Sequence, residues 1–408
     1  MSISGKGISV KQSARLYIVI VQLSSAMMVW TGLAVADALS IGTFENAAPI
    51  WQSQTIVNSP CFAAVDSERV FFNCEDGQVY GLARETGEEL WSFDAGGKIL
   101  CAPVVQGQYL IVGTGSGKVV ALNASTGSEQ WRHKSNRKII NPPLIKEGRA
   151  FVGTGSSLIY ALDLENGKRL WKRRLDKIKY PKGGGVKYMH LDGESVVSTP
   201  VDLGERIAIA GMAMQAQRKL LADIIVRKGF VNCISKETGK VVWKWSSENT
   251  NSMIPPVLVG DSIYVHQTDG SIVVLDGDSG DEISSLSIDG LTVSSGFILA
   301  NTSLFVWSEK GNVLRFDTES WEKEWGAVVW PKIVSRPLVN SSGFYVFTED
   351  GTLHSFEPGS GKIKWKYSLG GVPASAPVLH RGVIYTWLTD GRFHAVRVDE
   401  GSDENKDN

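Results

Sequence analysis

Residues 155–171 read Gly-Ser-Ser-Leu-Ile-Tyr-Ala-Leu-Asp-Leu-Glu-Asn-Gly-Lys-Arg-Leu-Trp, and this stretch decides the fold. It predicts a turn, a strand with alternating apolar residues, a second turn at Glu-Asn-Gly and a short strand that ends in tryptophan. Related stretches end at Trp91, Trp131, Trp243 and Trp365, and two degenerate copies end at Ser284 and Trp325. The tryptophan recurs every 40 residues from Trp91 to Trp171, and again from Trp325 to Trp365. A fixed period of this length indicates a β-propeller or a solenoid.

The two ends of the chain favour a closed ring over a solenoid. Each unit predicts four short strands, which is the content of one propeller blade. The last unit lacks its tryptophan strand, whereas Trp51 stands 40 residues before Trp91 without inner strands of its own. A strand from the N-terminal side that completes the last blade would close a ring. The sequence therefore predicts an all-β fold over residues 39–398, an eight-bladed β-propeller of four-stranded antiparallel blades closed by an N-terminal strand.

The segments on either side of the repeats have a different composition. Residues 1–15 carry three basic residues and no acid, and residues 16–34 are largely apolar and lead into small-x-small sites. This pattern predicts that residues 1–38 form a signal peptide or an N-terminal membrane anchor, and both alternatives stay open. Residues 399–408 are predicted to be an acidic, disordered tail. The formal net charge of −1 argues against nucleic acid as a partner.

Export to an oxidising compartment gives the four cysteines a possible role. Counting outward from the predicted turn at Ser67-Glu68 places Cys61 directly opposite Cys74 on neighbouring strands. These two residues are therefore the candidate disulfide. Cys233 occupies a position where other repeats carry glycine or alanine, so it is predicted to be a buried core residue.

The period breaks once, between Trp171 and Trp243, which are 72 residues apart and thus 32 residues beyond the period of 40. One insertion, Lys172 to Ser198, lies between blades 3 and 4. The other, Met212 to Lys228, lies between the second and third strands of blade 4. Both connections leave from the same face of an up-and-down propeller, and clustered insertions often mark the binding face. The apolar spacing of the second insertion favours an amphipathic helix, with an extended hairpin as the alternative.

Motifs for catalysis or metal binding are missing from the repeats. Residues 113–118 read Gly-Thr-Gly-Ser-Gly-Lys, but a strand follows them where a phosphate-binding loop requires Ser or Thr and then a helix. The six histidines form no zinc-binding pattern with the cysteines. No catalytic, cofactor-binding or metal-binding residue is predicted, and the chain is interpreted as a non-enzyme.

The repeat Gly-x-(Val/Ile)-x-Ala-Leu-Asp-x-x-Thr-Gly-x-x-x-Trp resembles the pyrroloquinoline-quinone type of propeller repeat, and the resemblance covers residues 48–398. One class with this repeat is the quinoprotein dehydrogenases, which carry adjacent cysteines together with ligands for calcium and the quinone. The present chain has no Cys-Cys pair. The other class is the BamB-type subunit of the outer-membrane β-barrel assembly machinery, an exported eight-bladed propeller.

The BamB resemblance extends to the loop Leu191-Asp-Gly193-Glu-Ser195 and to Thr199-Pro200. It implies a non-catalytic scaffold in the periplasm at the outer membrane, monomeric within a complex, whose partner is the barrel-forming subunit. The chain departs from the family in two ways: it lacks the lipobox cysteine, and Asp192 stands where the family loop has arginine. The predicted partner-binding residues are Tyr188, Met189, Leu191, Arg218 and Lys219. The alternatives are an exported propeller with a different partner and a quinone-dependent dehydrogenase-like protein.

Overall fold

The computed structural model describes residues 47–398, except for residues 56, 136, 156, 176–195, 220–221, 248–254, 268, 288–296, 301, 309 and 375. Only the backbone is described for Val196 and for residues 213–219 and 222–228. In chain order the strands are β1 Ala48–Gln52, β2 Cys61–Val65, β3 Arg69–Cys74, β4 Gln78–Ala83, β5 Glu89–Asp94, β6 Val104–Gln106, β7 Tyr109–Gly113, β8 Lys118–Asn123, β9 Glu129–Lys134, β10 Leu144–Lys146, β11 Arg149–Thr154, β12 Leu158–Asp163, β13 Arg169–Arg174, β14 Val196–Val197, β15 Val201–Leu203, β16 Arg206–Lys219, β17 Ala222–Ser235, β18 Val241–Ser247, β19 Val257–Val259, β20 Ser262–His266, β21 Ile272–Asp276, β22 Glu282–Leu286, β23 Phe297–Ala300, β24 Ser303–Trp307, β25 Asn312–Asp317, β26 Lys323–Val328, β27 Leu338–Val339, β28 Phe344–Phe347, β29 Thr352–Phe356, β30 Ile363–Ser368, β31 Val378–His380, β32 Val383–Trp387 and β33 Phe393–Arg397.

These strands form eight antiparallel sheets, which confirms the predicted eight-bladed propeller. Blades 1, 2 and 3 are β2–β5, β6–β9 and β10–β13, and blades 5, 6 and 7 are β19–β22, β23–β26 and β27–β30. Blade 4 contains β14 to β18, with β14 and β15 both paired to β16. Blade 8 has the order β1-β33-β32-β31, so the N-terminal strand supplies its outer edge. The ring is closed as the split repeat predicted.

An interlock between tryptophan and glycine joins neighbouring blades and explains the repeat. Trp51 on the outer strand of blade 8 donates a hydrogen bond from Nε1 to the Arg84 carbonyl of blade 1 at 2.7 Å. Its ring lies on Gly87, whose φ of 71° favours glycine. A β-carbon on Gly87 would lie 2.4 Å from the ring. Both the left-handed backbone conformation and the close contact with the ring therefore require glycine at this position. The same contact joins tryptophan to glycine at Trp91 and Gly127, Trp131 and Gly167, Trp171 and Gly239, Trp243 and Gly280, and Trp325 and Gly361.

The two degenerate positions of the repeat compensate for each other. Blade 5 has Ser284 in place of the tryptophan, and the next blade has Trp321 in place of the glycine. Trp321 has a φ of 60°, which is unfavourable for a bulky residue. Its ring lies 5.9 Å from that of Tyr264, the same separation as between Phe151 and Trp171 within blade 3. Trp321 therefore supplies, from the following blade, the ring contact that the missing tryptophan makes elsewhere.

We expect Trp321→Gly to lower the free energy of unfolding by about 2 kcal/mol. Loss of a partly buried aromatic ring is the larger effect, and relief of the left-handed backbone offsets about 1 kcal/mol of it. A variant that restores the regular pattern also replaces Val274, which pairs with Ser284 where blades 1 and 3 place Gly81 and Ala161 opposite tryptophan. The triple variant Val274→Ala, Ser284→Trp, Trp321→Gly should recover most of the lost stability in a denaturant titration.

Trp330→Gly is the matched control for this measurement, because the Trp330 side chain is 81% exposed on the same blade. It should change the unfolding free energy by less than about 0.5 kcal/mol. A triple variant that is less stable than Trp321→Gly alone would show that the two positions are not coupled.

The predicted helix in the second insertion is wrong. Strands β16 and β17 continue beyond the blade as one antiparallel hairpin, with paired residues from Arg206↔Ser235 to Lys219↔Ala222. The physical reason is continuity of the hydrogen-bond ladder. Both ends of the insertion are already paired strands, so extending the ladder needs only a two-residue connection. A helix would have to break that ladder on both sides.

Cys61, Cys74 and Cys233 lie at their predicted positions. Cys61 and Cys74 are directly opposed on β2 and β3 with Cα atoms 4.0 Å apart, and their sulfur atoms form a disulfide. Cys233 is fully buried opposite Trp243, which confirms its prediction as a core residue.

Candidate functional site

Both insertions are fixed to the same corner of blades 3 and 4. The first leaves blade 3 at Leu175, which is buried and donates its backbone N–H to the Ser157 carbonyl at 2.9 Å. It returns at β14, where Val197 pairs with Gly211 at the base of the long hairpin. The Asn141 side chain donates to the Val197 carbonyl at 2.7 Å. The first insertion therefore returns against the base of the second.

The long hairpin forms an arm that extends from blade 4. Beyond the pair Met212↔Gly229, seven further residue pairs follow, from Ala213↔Lys228 to Lys219↔Ala222. Arg218 and Lys219 are the last two residues of β16, so their backbone lies at the far end of this arm. We call residues 213–228 the arm. The predicted anchors Tyr188, Met189 and Leu191 lie outside the described residues.

An ion cluster around the buried Lys236 ties blade 3 to blade 4. The side chain of Lys236 is only 2% exposed, and its Nζ lies 2.7 Å from Glu147 Oε1 and 2.6 Å from Asp202 Oδ1. Burial disfavours the charged amine, but its hydrogen bonds to Asp202 and Glu147 outweigh this and raise the pKa of Lys236. The Lys236 carbonyl also accepts a 2.8 Å hydrogen bond from Trp171 Nε1. The arm therefore rises from two blades that are held together by a charged contact and by the tryptophan interlock.

Sequence reasoning missed this cluster, although a signal for it exists. Lys236 occupies the position whose carbonyl accepts the tryptophan hydrogen bond, and blades 2 and 3 carry Ala124 and Leu164 there. A lysine at a position that is apolar in these two blades is a weak signal of a charged partner, because blade 1 carries Arg84 at the same position. The identity of that partner depends on turns from two blades, which only the tertiary structure brings together.

The described residues include few groups suited to catalysis, such as metal ligands or reactive thiols. No cluster of three or more His, Cys, Asp or Glu side chains among them could hold a metal ion. Burial raises the pKa of the Cys101 thiol to about 12 and that of Cys233 to about 11, so both thiols stay protonated. Within the described part of the chain, no helix is long and apolar enough to cross a membrane.

Comparison with known families is consistent with this geometry. The family model described as "Outer membrane protein assembly factor BamB" matches residues 75–197, 192–285 and 268–407. The chain belongs to this family. The matched residues include the bases of both insertions and the whole of the arm. No curated protein sequence is significantly similar to the chain.

Solved structures with the same fold include members of both classes that share the repeat. BamB from Moraxella catarrhalis is 20% identical with a TM-score of 0.63, and the match covers 84% of this chain and 99% of that one. Quinohemoprotein alcohol dehydrogenase from Comamonas testosteroni is 13% identical with a TM-score of 0.64, covering 89% and 78%. A computationally designed protein, Ika8, is 14% identical with a TM-score of 0.66, covering 86% and 99%. At these identities the structures establish the fold alone.

Proposed function

We propose that this BamB-family propeller is a non-catalytic scaffold of the cell envelope that supports assembly of β-barrel proteins into the outer membrane. Its partner in this proposal is the barrel-forming subunit of the assembly machinery, and its location is the periplasmic side of the outer membrane. The observation that carries the proposal is the pair of insertions, which interrupt an otherwise regular ring at one corner of blades 3 and 4.

The arm gives a partner a surface that the regular blades lack. The corresponding turn of blade 2 spans only Thr114 to Gly117, whereas the arm adds seven residue pairs to the same connection in blade 4. Interfaces are commonly anchored by a few apolar or arginine side chains surrounded by polar ones. The first insertion carries the apolar candidates Tyr188, Met189 and Leu191, and the arm carries Arg218 and Lys219. We assign these five residues to partner binding within this proposal.

The fold is also that of a dehydrogenase, so oxidoreductase activity is the second candidate. Quinone chemistry is tested by adding pyrroloquinoline quinone with calcium to the purified protein and measuring the absorbance that remains after gel filtration. On the scaffold proposal, no quinone is retained. Retention in a one-to-one ratio would favour the dehydrogenase class.

The docking proposal is tested with two variants of the full chain. In the first, a two-residue Asn-Gly turn replaces residues 213–228, because the pair Met212↔Gly229 closes the blade at a position suited to a tight hairpin. In the second, Met189→Ala is combined with Leu191→Glu. Both variants should capture the periplasmic region of the barrel-forming subunit at least tenfold more weakly, with an unchanged melting temperature.

A matched control changes the equivalent turn of a regular blade. Ser116→Glu in blade 2 alters a turn on the same face without touching the arm, and it should leave partner capture unchanged. If capture survives in both insertion variants, this corner is not the docking surface. If the Met189→Ala, Leu191→Glu variant instead melts at a lower temperature, these side chains stabilise the propeller rather than bind a partner.

A further inference from the structure

The arm has an unpaired strand edge on each side. Its two strands pair with each other over seven residue pairs beyond Met212↔Gly229. At its base, β14 reaches along β16 only as far as Met212, and β18 reaches along β17 only as far as Gly229. Along residues 213–219 and 222–228, no third strand in the described part of the chain continues the sheet. The outward N–H and C=O groups of these edges form a template on which another strand can pair.

The arm segment of β17 is suited to a larger sheet than the one it forms. A two-stranded ribbon alone is at best marginally stable in water, and further strands stabilise it. Ile224, Ile225 and Val226 are consecutive β-branched residues, which favour strands. Proteins commonly protect an exposed edge with a proline or a bulge. Residues 213–228 contain no proline, and the register of the arm is unbroken. This edge therefore lacks two common protections against strand addition.

The neighbouring strands favour the edge of β17 over the edge of β16 as the site for a partner. On the β16 side, the first insertion returns to the sheet through β14, so that edge lies beside the chain's own insertion. On the β17 side, β18 ends at Ser247, opposite Gly229. A strand added to β17 beyond this point would extend the sheet of blade 4 along the arm.

The charge of the arm indicates the chemistry of the strand that pairs with it. The whole chain has a net charge of −1, but residues 213–228 contain four basic residues and one acid. Arg227 and Lys228 are adjacent at the base of the arm, and in the register they stand opposite the uncharged Met214 and Ala213. Complementary charge favours a partner strand with acidic residues near this base. The uncharged stretch from Ile224 to Val226 favours an apolar centre in that strand.

We propose that the arm binds its partner by strand addition, in which an extended segment of the partner pairs along residues 222–228 of β17. The segment has an apolar centre and acidic residues beside Arg227 and Lys228. This inference rests on the proposed function, because it assumes that the arm is a docking surface. It adds the mode of recognition: main-chain hydrogen bonds supply affinity, and side chains at alternate positions supply specificity.

Amide hydrogen exchange tests the mode of binding. The full chain is measured alone and in complex with the periplasmic region of the barrel-forming subunit. On an edge strand, every second N–H points away from the existing neighbour and donates to an added strand. We expect alternate amides within residues 222–228 to exchange at least tenfold more slowly in the complex, with no change in β9 of blade 2. Docking through side chains alone would not produce this alternation.

Charge reversal tests the chemistry of the partner segment. The variant Arg227→Glu, Lys228→Glu should capture the same periplasmic region at least tenfold more weakly than the unaltered protein. Its control, Lys323→Glu, Lys362→Glu, makes the same change in net charge at exposed positions of blades 6 and 7. The control should stay within about twofold of the unaltered protein, and both variants should keep its melting temperature.

Four results would overturn the inference. Capture without alternating protection would reject strand addition and leave the proposed function standing. Equal loss of capture in both charge variants would indicate the overall charge rather than the arm. Alternating protection already present in the free protein would show that the edge is covered without the partner, by a second copy if it depends on protein concentration and by the same chain if it does not. If the unaltered protein captures no barrel-forming subunit, the proposed function and this inference fail together.

Discussion

A chain that lacks residues 47–55 is expected to lose its cooperative unfolding transition and to aggregate, whereas a chain that begins at Ala47 should unfold like the full protein. The strand β1 is the outer edge of blade 8, where Trp51 pairs with Ala395. Its removal exposes the ladder groups of β33, and an exposed strand edge is a template for pairing with other chains. It also removes the interlock of Trp51 with blade 1, whose hydrogen bond to the Arg84 carbonyl is 2.7 Å long.

The point variant Trp51→Ala separates these two contributions. It keeps the backbone of β1 and removes a buried ring that packs against Tyr385 and Gly87. We expect it to lower the free energy of unfolding by about 3 to 5 kcal/mol without causing aggregation. Chemical denaturation and size-exclusion chromatography measure the two effects. A truncated chain that stays monomeric, with the melting temperature of the chain starting at Ala47, would contradict closure of the ring by β1.

Acid is the second condition expected to have a large effect, because two histidines are buried inside the blades. His266 on blade 5 is 1% exposed and His354 on blade 7 is 2% exposed. Burial lowers the pKa of His266 to about 4, partly opposed by Asp269. Burial, together with the charge of Lys366, lowers the pKa of His354 to about 4. No described residue is hydrogen-bonded to either ring nitrogen of His266, while His354 Nε2 lies 3.2 Å from Thr348 Oγ1.

The direction of the pH effect follows from these shifts. An unfolded histidine has a pKa near 6.5, so it takes up a proton before the folded one does. The contribution of these two histidines to the stability of the folded state is therefore fully present above about pH 6.5, and it is lost as the pH falls from there toward 4. At pH 4.5 the loss is about 2 to 3 kcal/mol for each histidine, and about 5 kcal/mol for both together.

The variant His266→Leu, His354→Gln removes both titrating rings, and Gln retains a group that can bond to Thr348. Its unfolding free energy, measured by urea titration, should fall less steeply between pH 7 and pH 4.5 than that of the unaltered protein. The difference in slope isolates the histidines, because the carboxylates are common to both chains. Parallel pH profiles for the two chains would show that the buried histidines do not cause the acid sensitivity.

The sequence alone was sufficient for the architecture. The 40-residue spacing of tryptophan follows from a contact repeated in nearly every blade, in which the ring rests on a glycine of the next blade. Because that contact needs both residue types at fixed positions, it leaves a signal that can be counted. The half-repeat at Trp51 likewise predicted the closure of the ring, since a strand without a blade must complete another one. Counting outward from the predicted turn at Ser67-Glu68 placed Cys61 opposite Cys74, as the register shows.

Only the tertiary structure decided the features that depend on more than one repeat. The spacing of apolar residues in the arm slightly favoured a helix over a hairpin, and the two paired strands at its base decide for the hairpin. In the sequence, Ser284 and Trp321 look like two independent departures from the repeat. In the structure they are coupled, because the ring of Trp321 makes the contact with Tyr264 that blade 5 lacks without its own tryptophan. The Lys236 cluster likewise combines residues from two blades. A periodic sequence records the contacts that recur at a fixed spacing, whereas contacts made once between blades leave no period and become visible only when the ring is closed.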